Sequence, residues 1–143
     1  MDGVQRDEFQ TAFWSAKLAM AEAAETAFNH HGVRAGQQFI LECLWQSDGL
    51  TPGEIAKRLR LATPTVTRAA TRMEAAGLLH RKPHPTDARL VRLCLTDRGK
   101  HLESTLARER AALTRRAVRG LSESDQAHLI KLLYLLRDNL RSA

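Results

Sequence analysis

The chain has 143 residues, enough for one moderate hydrophobic core. With 43% hydrophobic and 27% charged residues it is neither collagen-like nor compositionally disordered, and no apolar run approaches the roughly 18 residues of a membrane span. The net charge is +6, which is weak evidence for a polyanionic partner until its distribution is known.

The opening residues, MDGVQRDEFQ, are charged and lack the apolar core of a signal peptide, so a cytoplasmic protein is expected. Phe9, Phe13, Ala16, Met20, Ala23 and Ala27 recur at three- and four-residue steps and predict a long amphipathic helix ending near the HHG at 30–32. A second helix is expected from Ala35 to Gln46, with Phe39, Ile40, Cys43 and Leu44 inward, before the turn SDGL. Thr51, Pro52 and Glu54 form a capping-box start for a short helix carrying Ile55, Ala56 and Leu59. Thr63, read as a cap, and Pro64 then open another helix with Val66, Ala69, Ala70 and Met73 inward, stopping at Gly77. Two short helices joined by a tight connection make a helix-turn-helix unit.

Leu78–Lys82 and Leu90–Leu95 alternate like strands, with Pro83–Arg89 as the tip of a hairpin. Thr96 and Asp97 open a long helix with Leu102, Leu106, Leu113 and Ala117 on one stripe, ending at Gly120. Ser122 and Asp125 open the last helix, with an apolar band of Leu129, Leu132, Leu133, Leu136 and Leu140. The expected fold class is mainly α with a small β-hairpin (α+β): N-terminal helices over 1–47, a winged helix-turn-helix over 48–96 and C-terminal helices over 97–143, all in one structural domain. The terminal helices are unusually apolar for a monomer of this size, so a homodimer is expected to bury them.

The charge is concentrated. Between Ile55 and Arg92 stand nine basic residues against Glu74 and Asp87, a balance of +7, so the rest of the chain carries −1. That is an electrostatic footprint rather than a general aid to solubility. On the outer face of the Thr63–Ala76 helix lie Pro64, Thr65, Thr67, Arg68, Thr71 and Arg72. Small hydroxyls and arginines near a helix N-terminus suit the major groove, since Arg can donate twice to guanine and Thr can bond base edges or touch a thymine methyl. The hairpin reads as a wing. Arg89 is the candidate for insertion into a narrow minor groove, where the negative potential is enhanced. Asp87 is expected to hold the tip through backbone amides or a nearby arginine, and Arg81, Lys82 and Arg92 are expected to meet phosphates.

The segment LTPGEIAKRLRLATPTVTRAATRMEAAGLLHRKPHPTDARLVRLCLTDRGKHL, residues 50–102, resembles the multiple antibiotic resistance regulator (MarR) family of bacterial transcription factors. TPTVTR, RMEAAGLL, the D-x-R of Asp87 and Arg89, and LTDRG fall in that family's order and spacing, and the flanking helices match in length and character. The resemblance implies a triangular homodimer held by its terminal helices, with two winged lobes on a pseudo-palindromic duplex site. It puts Pro64, Thr65, Thr67, Arg68 and Arg72 on the recognition helix and Asp87 and Arg89 on the wing. It further implies a cytoplasmic, nucleoid-associated repressor, often relieved by a small aromatic or anionic effector bound between the dimer helices and the DNA-binding lobe.

Trp14, His30, His31, Arg34 and Trp45 lie near helix ends that could border such a pocket. The alternative triggers, cysteine oxidation and zinc, have less in their favour. Cys43 and Cys94 form no CxxC pair and read as small buried hydrophobes, and the first helix carries no cysteine. The histidines lack metal-ligand spacing, so no metal or other cofactor is expected. GxSxG, HExxH, GxxxxGK(S/T) and GxGxxG are all absent, which argues against an enzyme. A winged helix that binds another protein stays the alternative reading; it would suit an apolar recognition surface, whereas this one is rich in Thr and Arg.

Overall fold

Among the described residues, 3–142, the computed structural model holds six helices and one hairpin: α1 (Gly3–Asn29), α2 (Gln37–Gln46), α3 (Pro52–Leu59), α4 (Thr63–Ala75), β1 (Leu79–Pro83), β2 (Val91–Leu95), α5 (Asp97–Ala117) and α6 (Glu123–Arg141). Met1, Asp2 and Ala143, the extremes of the expected terminal segments, lie outside the described residues, and side chains are described from Asp7 onward. The chain divides into two compact units, 1–110 and 111–143, with the boundary inside α5.

In the first unit, the core gathers Val33, Leu41, Leu44, Ile55, Val66, Met73 and Leu106, all at most 1% exposed. The inward arc of α2 is Gln37, Ile40, Leu41 and Leu44, with Cys43 at its edge. Phe39, expected inside, is 50% exposed, because this i, i+3, i+4, i+7 arc turns it outward. The long stripe expected on α1 is buried only at its C-terminal end. Phe28 is buried and Ala23 and Ala27 are half-buried, whereas Phe9, Phe13 and Met20 are exposed.

The start of α3 is the capping box read from the sequence. The Thr51 hydroxyl accepts from the Glu54 amide at 3.2 Å, and the Glu54 carboxylate accepts from the Thr51 amide at 3.3 Å. The helix closes on Arg60, whose left-handed φ of 56° turns the chain toward α4. There the expected cap is corrected: Ala62 occupies the N-cap position without a side-chain bond, and Thr63 is already helical. Only Leu61 and Ala62 separate the left-handed Arg60 from α4, so the helix starts one residue early. Gly77, at φ 77°, ends the turn after α4, and the Leu78 amide donates to Met73 O at 3.0 Å.

β1 and β2 pair antiparallel with Leu79 opposite Leu95 and Lys82 opposite Arg92. Leu50 bridges to Leu93 from the other side, and the Asp48 carboxylate accepts from the Leu95 amide at 2.9 Å. The base of the hairpin is thereby anchored while its tip projects. The start of α5 is pinned against the end of α4. The Thr96 hydroxyl donates to Gly77 O at 2.6 Å and accepts from the Gly99 amide at 3.1 Å. A Cβ on Gly99 would stand 2.1 Å from Leu78 O, so the glycine of LTDRG is a steric requirement.

In the second unit, the end of α5 turns at Gly120 (φ 88°) into α6, where the Ser122 hydroxyl accepts from the Asp125 amide at 3.0 Å. The stripe expected along α5 fades here: Leu102 and Leu106 are buried, but Leu113 is half-buried and Ala117 exposed. No residue of α6 is buried. Most of its leucine band is uncovered, Leu129, Leu132 and Leu133 being 42–46% exposed and Leu140 88%, while Leu136 is half-buried.

Candidate nucleic-acid interface

The two-turn outer face of α4 is built as its pattern implies. Val66, Ala70 and Met73 are buried, which leaves Pro64, Thr65, Thr67, Arg68 and Arg72 exposed on the opposite arc. The Thr67 and Thr71 hydroxyls donate to the carbonyls of Thr63 and Thr67, each at 3.1 Å. Their donors are thus tied to the helix; the Thr71 oxygen accepts from Arg81 Nη2 at 2.8 Å, while the Thr67 oxygen can still accept and both methyls can still make apolar contacts. Arg68 makes no ion pair among the described residues.

The hairpin tip is a closed hydrogen-bond system. His84 Nδ1 accepts from the amides of Thr86 (3.2 Å) and Asp87 (3.0 Å). Asp87 in turn accepts from the Arg89 amide at 3.0 Å and from its guanidinium Nε and Nη2, both at 3.1 Å. This fork holds the Asp87 carboxyl below its ordinary range, through the Arg89 side chain first and its amide second, and raises Arg89 in turn. Arg89 nevertheless keeps 89% of its side chain exposed, so it is oriented without being hidden. His84 had no role in the sequence reading. The signal was available: His then Pro-Thr-Asp can close a turn when the ring accepts from amides two and three residues on.

Lower on the hairpin, exposed Lys82 faces half-buried Arg92 across the two strands. Like charges in register repel, which an anion lying over them would relieve. The Arg92 guanidinium lies beside the Gly49 turn, and its Nε is buried without a partner. Arg81, grouped with these by sequence, is placed differently. It is turned back onto α4, where Glu74 takes its guanidinium at 2.8 Å.

Of the five residues expected near an effector pocket, three border clefts. His30 and His31 line one of about 640 Å³ with His101, Arg98 and Asp97, and His31 Nε2 sits 3.0 Å from Glu109. Arg34 lines a second, of about 460 Å³, with Gln37, Arg72 and Arg98. Arg98 borders both, donating to Ala76 O at 2.7 Å. Trp45 lines neither; its indole donates to Gly99 O at 2.8 Å and pins α2 to the start of α5. Trp14 is 54% exposed on α1, bonded to Gln10 within its own helix. Both cysteines are buried, and burial pushes the Cys43 thiol up, away from the reactive thiolate. Among the described residues no three His, Cys, Asp or Glu side chains gather as a metal site, and no helix is long and apolar enough to cross a membrane.

The MarR family model matches residues 34–91, which span α2 to the start of β2. The regulator TtmR of Methylorubrum extorquens is 30% identical over 131 residues, 92% of this chain, which spans 66% of that relative's length. The uncharacterized HTH-type transcriptional regulator YkoM of Bacillus subtilis is 33% identical, with 85% of this chain and 79% of its own length covered. Among solved structures, a MarR-family regulator of Listeria monocytogenes in complex with a 26mer DNA shares the fold, with a TM-score of 0.72 at 21% identity over 98% of this chain and 90% of that one. The chain belongs to the MarR family, a family of helix-turn-helix transcriptional regulators and not of enzymes.

Proposed function

We propose that the protein is a dimeric, cytoplasmic repressor that binds a pseudo-palindromic duplex, with α4 in the major groove and the hairpin along the adjacent minor groove. The observation that carries this reading is the exposed arc of Pro64, Thr65, Thr67, Arg68 and Arg72 beside a projecting tip that presents Arg89. The Listeria relative solved with a 26mer DNA supports it by likeness of fold. Arg68 reads bases, Lys82 and Arg92 neutralise phosphates, and Arg89 enters the narrow groove. Selection from random duplex DNA should recover half-sites roughly one helical turn apart, with affinity that falls steeply with salt. Arg68→Ala should cost about 1–3 kcal/mol and relax the base preference at one position of each half-site. Unselective, salt-insensitive binding by the wild type would overturn the reading.

The same reading includes relief by an anionic effector, for which the cleft of Arg34, Arg72 and Arg98 is the best-suited place. Arg72 belongs both to that cleft and to the outer face of α4, so a carboxylate held there competes for a side chain that duplex DNA also uses. Benzoate and related aromatic acids should weaken binding of the selected duplex, and Arg98→Ala should blunt that effect. Titrations that leave DNA affinity unchanged would remove the effector from the proposal.

A further inference from the structure

We infer that Glu74 and Arg81 form a strut that sets the angle of the wing against α4, which makes both of them positioning residues for sequence readout rather than contacts to DNA. The inference rests on the DNA-binding function proposed above and assigns Arg81 a task other than phosphate neutralisation. The geometry is specific. Glu74 Oε1 accepts from Arg81 Nη1 at 2.8 Å, and its other oxygen accepts from the Arg81 backbone amide at 2.9 Å. Arg81 Nη2 reaches the Thr71 hydroxyl at 2.8 Å and Thr67 O at 3.4 Å. Thr67, Thr71 and Glu74 stand at i, i+4 and i+7 on one ridge of α4, so a single side chain from β1 grips two turns of that helix.

The backbone bond matters as much as the ion pair. Leu93, opposite Arg81, gives its own amide and carbonyl to Leu50 and Gly49, so Arg81 and Leu93 do not exchange ladder bonds. The Arg81 amide is an edge donor, and Glu74 takes it. The carboxylate therefore holds the strand itself as well as the arginine side chain. The Arg81 side chain is only 27% exposed, against 89% for Arg89. With both carboxylate oxygens engaged, the Glu74 carboxyl is held below its ordinary range, first by the Arg81 amide. Glu74 is also the one acidic residue of α4, on the same helix as Arg68 and Arg72. A residue that repels phosphate at that place needs a compensating task, and fixing the second reading element relative to the first supplies it.

The test separates positioning from charge. Affinity is measured against salt for wild type, Glu74→Gln, Arg81→Gln and the double variant. The probes are the tightest duplex recovered by selection from random DNA and a shuffled duplex of the same composition. Thermal melting and light scattering show that each variant keeps the wild-type fold and assembly; Glu74→Gln keeps an oxygen for the Arg81 amide. The strut predicts that each single variant loses the preference for the selected duplex, roughly tenfold, with little change on the shuffled one. The double variant should lose no more than either single, because both remove one device. The salt slope of the double variant should match wild type, since the pair is neutral with or without its two charges. A slope shallower by about one, with the preference intact, would make Arg81 a phosphate contact and overturn the inference while leaving the function standing. Unchanged preference in all variants would overturn it as well. A wild type that does not discriminate between the duplexes sinks the function and the strut together.

Discussion

In the proposed complex, Asp87 would serve the binding of a polyanion despite its own negative charge. Simple charge counting says that removing Asp87 from the tip should tighten DNA binding. The geometry says the reverse. The aspartate accepts two guanidinium hydrogens and one amide from Arg89, and so aims a side chain that is 89% exposed and would otherwise sample many rotamers. Asp87→Ala should therefore weaken binding roughly five- to tenfold on the selected duplex. Anisotropy titration checks this, and tighter binding would show that the fork restrains Arg89 instead of presenting it. The two lowered carboxyls, Asp87 and Glu74, also set an acid dependence. Because their folded values lie below the unfolded ones, the stability they add is fully present above the ordinary carboxylate range and is lost as pH falls through the lowered values. The melting-temperature advantage of wild type over the Glu74→Gln, Asp87→Asn double variant should hold level above about pH 5 and shrink below about pH 4.

Between elements, the tightest constraint is the seat of α5 on the end of α4. Gly99→Ala would drive a methyl to within 2.1 Å of the Leu78 carbonyl, a backbone atom that cannot swing aside. It should also disturb the Trp45 bond to Gly99 O. Overpacking of this kind costs about 1–3 kcal/mol, so chemical denaturation should show a lower midpoint with an unchanged slope. The sequence made such local devices legible. The Thr51–Glu54 capping box, the glycine after α4 and the hairpin between Leu79 and Leu95 were all written in short spacings and formed at the expected places, the strands within one residue of the expected bounds. Where several rotations of a helix bury similar apolar area, spacing alone could not choose, and Phe39 fell outside the arc that Gln37, Ile40, Leu41 and Leu44 define. The cap assigned to Thr63 missed because a left-handed Arg60 shortens the turn, and nothing in an arginine announces that conformation. The Glu74–Arg81 strut was equally hidden, since its partners sit seven residues apart across a helix end and a turn. No periodicity pairs such positions, and only the packing of β1 on α4 does.

At the scale of the whole molecule, apolar faces without cover ask for a second copy. On α6, Leu129, Ile130, Leu132, Leu133, Tyr134 and Leu135 are 42–56% exposed, and on α1, Phe9, Trp14 and Leu18 are 49–60% exposed. Large apolar side chains left exposed in this number along a helix mark an interface. A second copy is the occupant that would also serve the proposed function, because a pseudo-palindromic site would need two reading helices held at a fixed separation. Light scattering should give twice the 16.0 kDa chain mass. Leu133→Glu, which sets a charge in the middle of the α6 band, should return the mass toward a single chain. Since α6 lies outside the winged lobe, that variant should keep the salt-dependent grip of one half-site but lose the gain from joining two, roughly 100-fold or more on the selected duplex. A monomeric wild type that still bound the full site tightly would mean that each lobe reads DNA alone, and the leucine band of α6 would need another occupant.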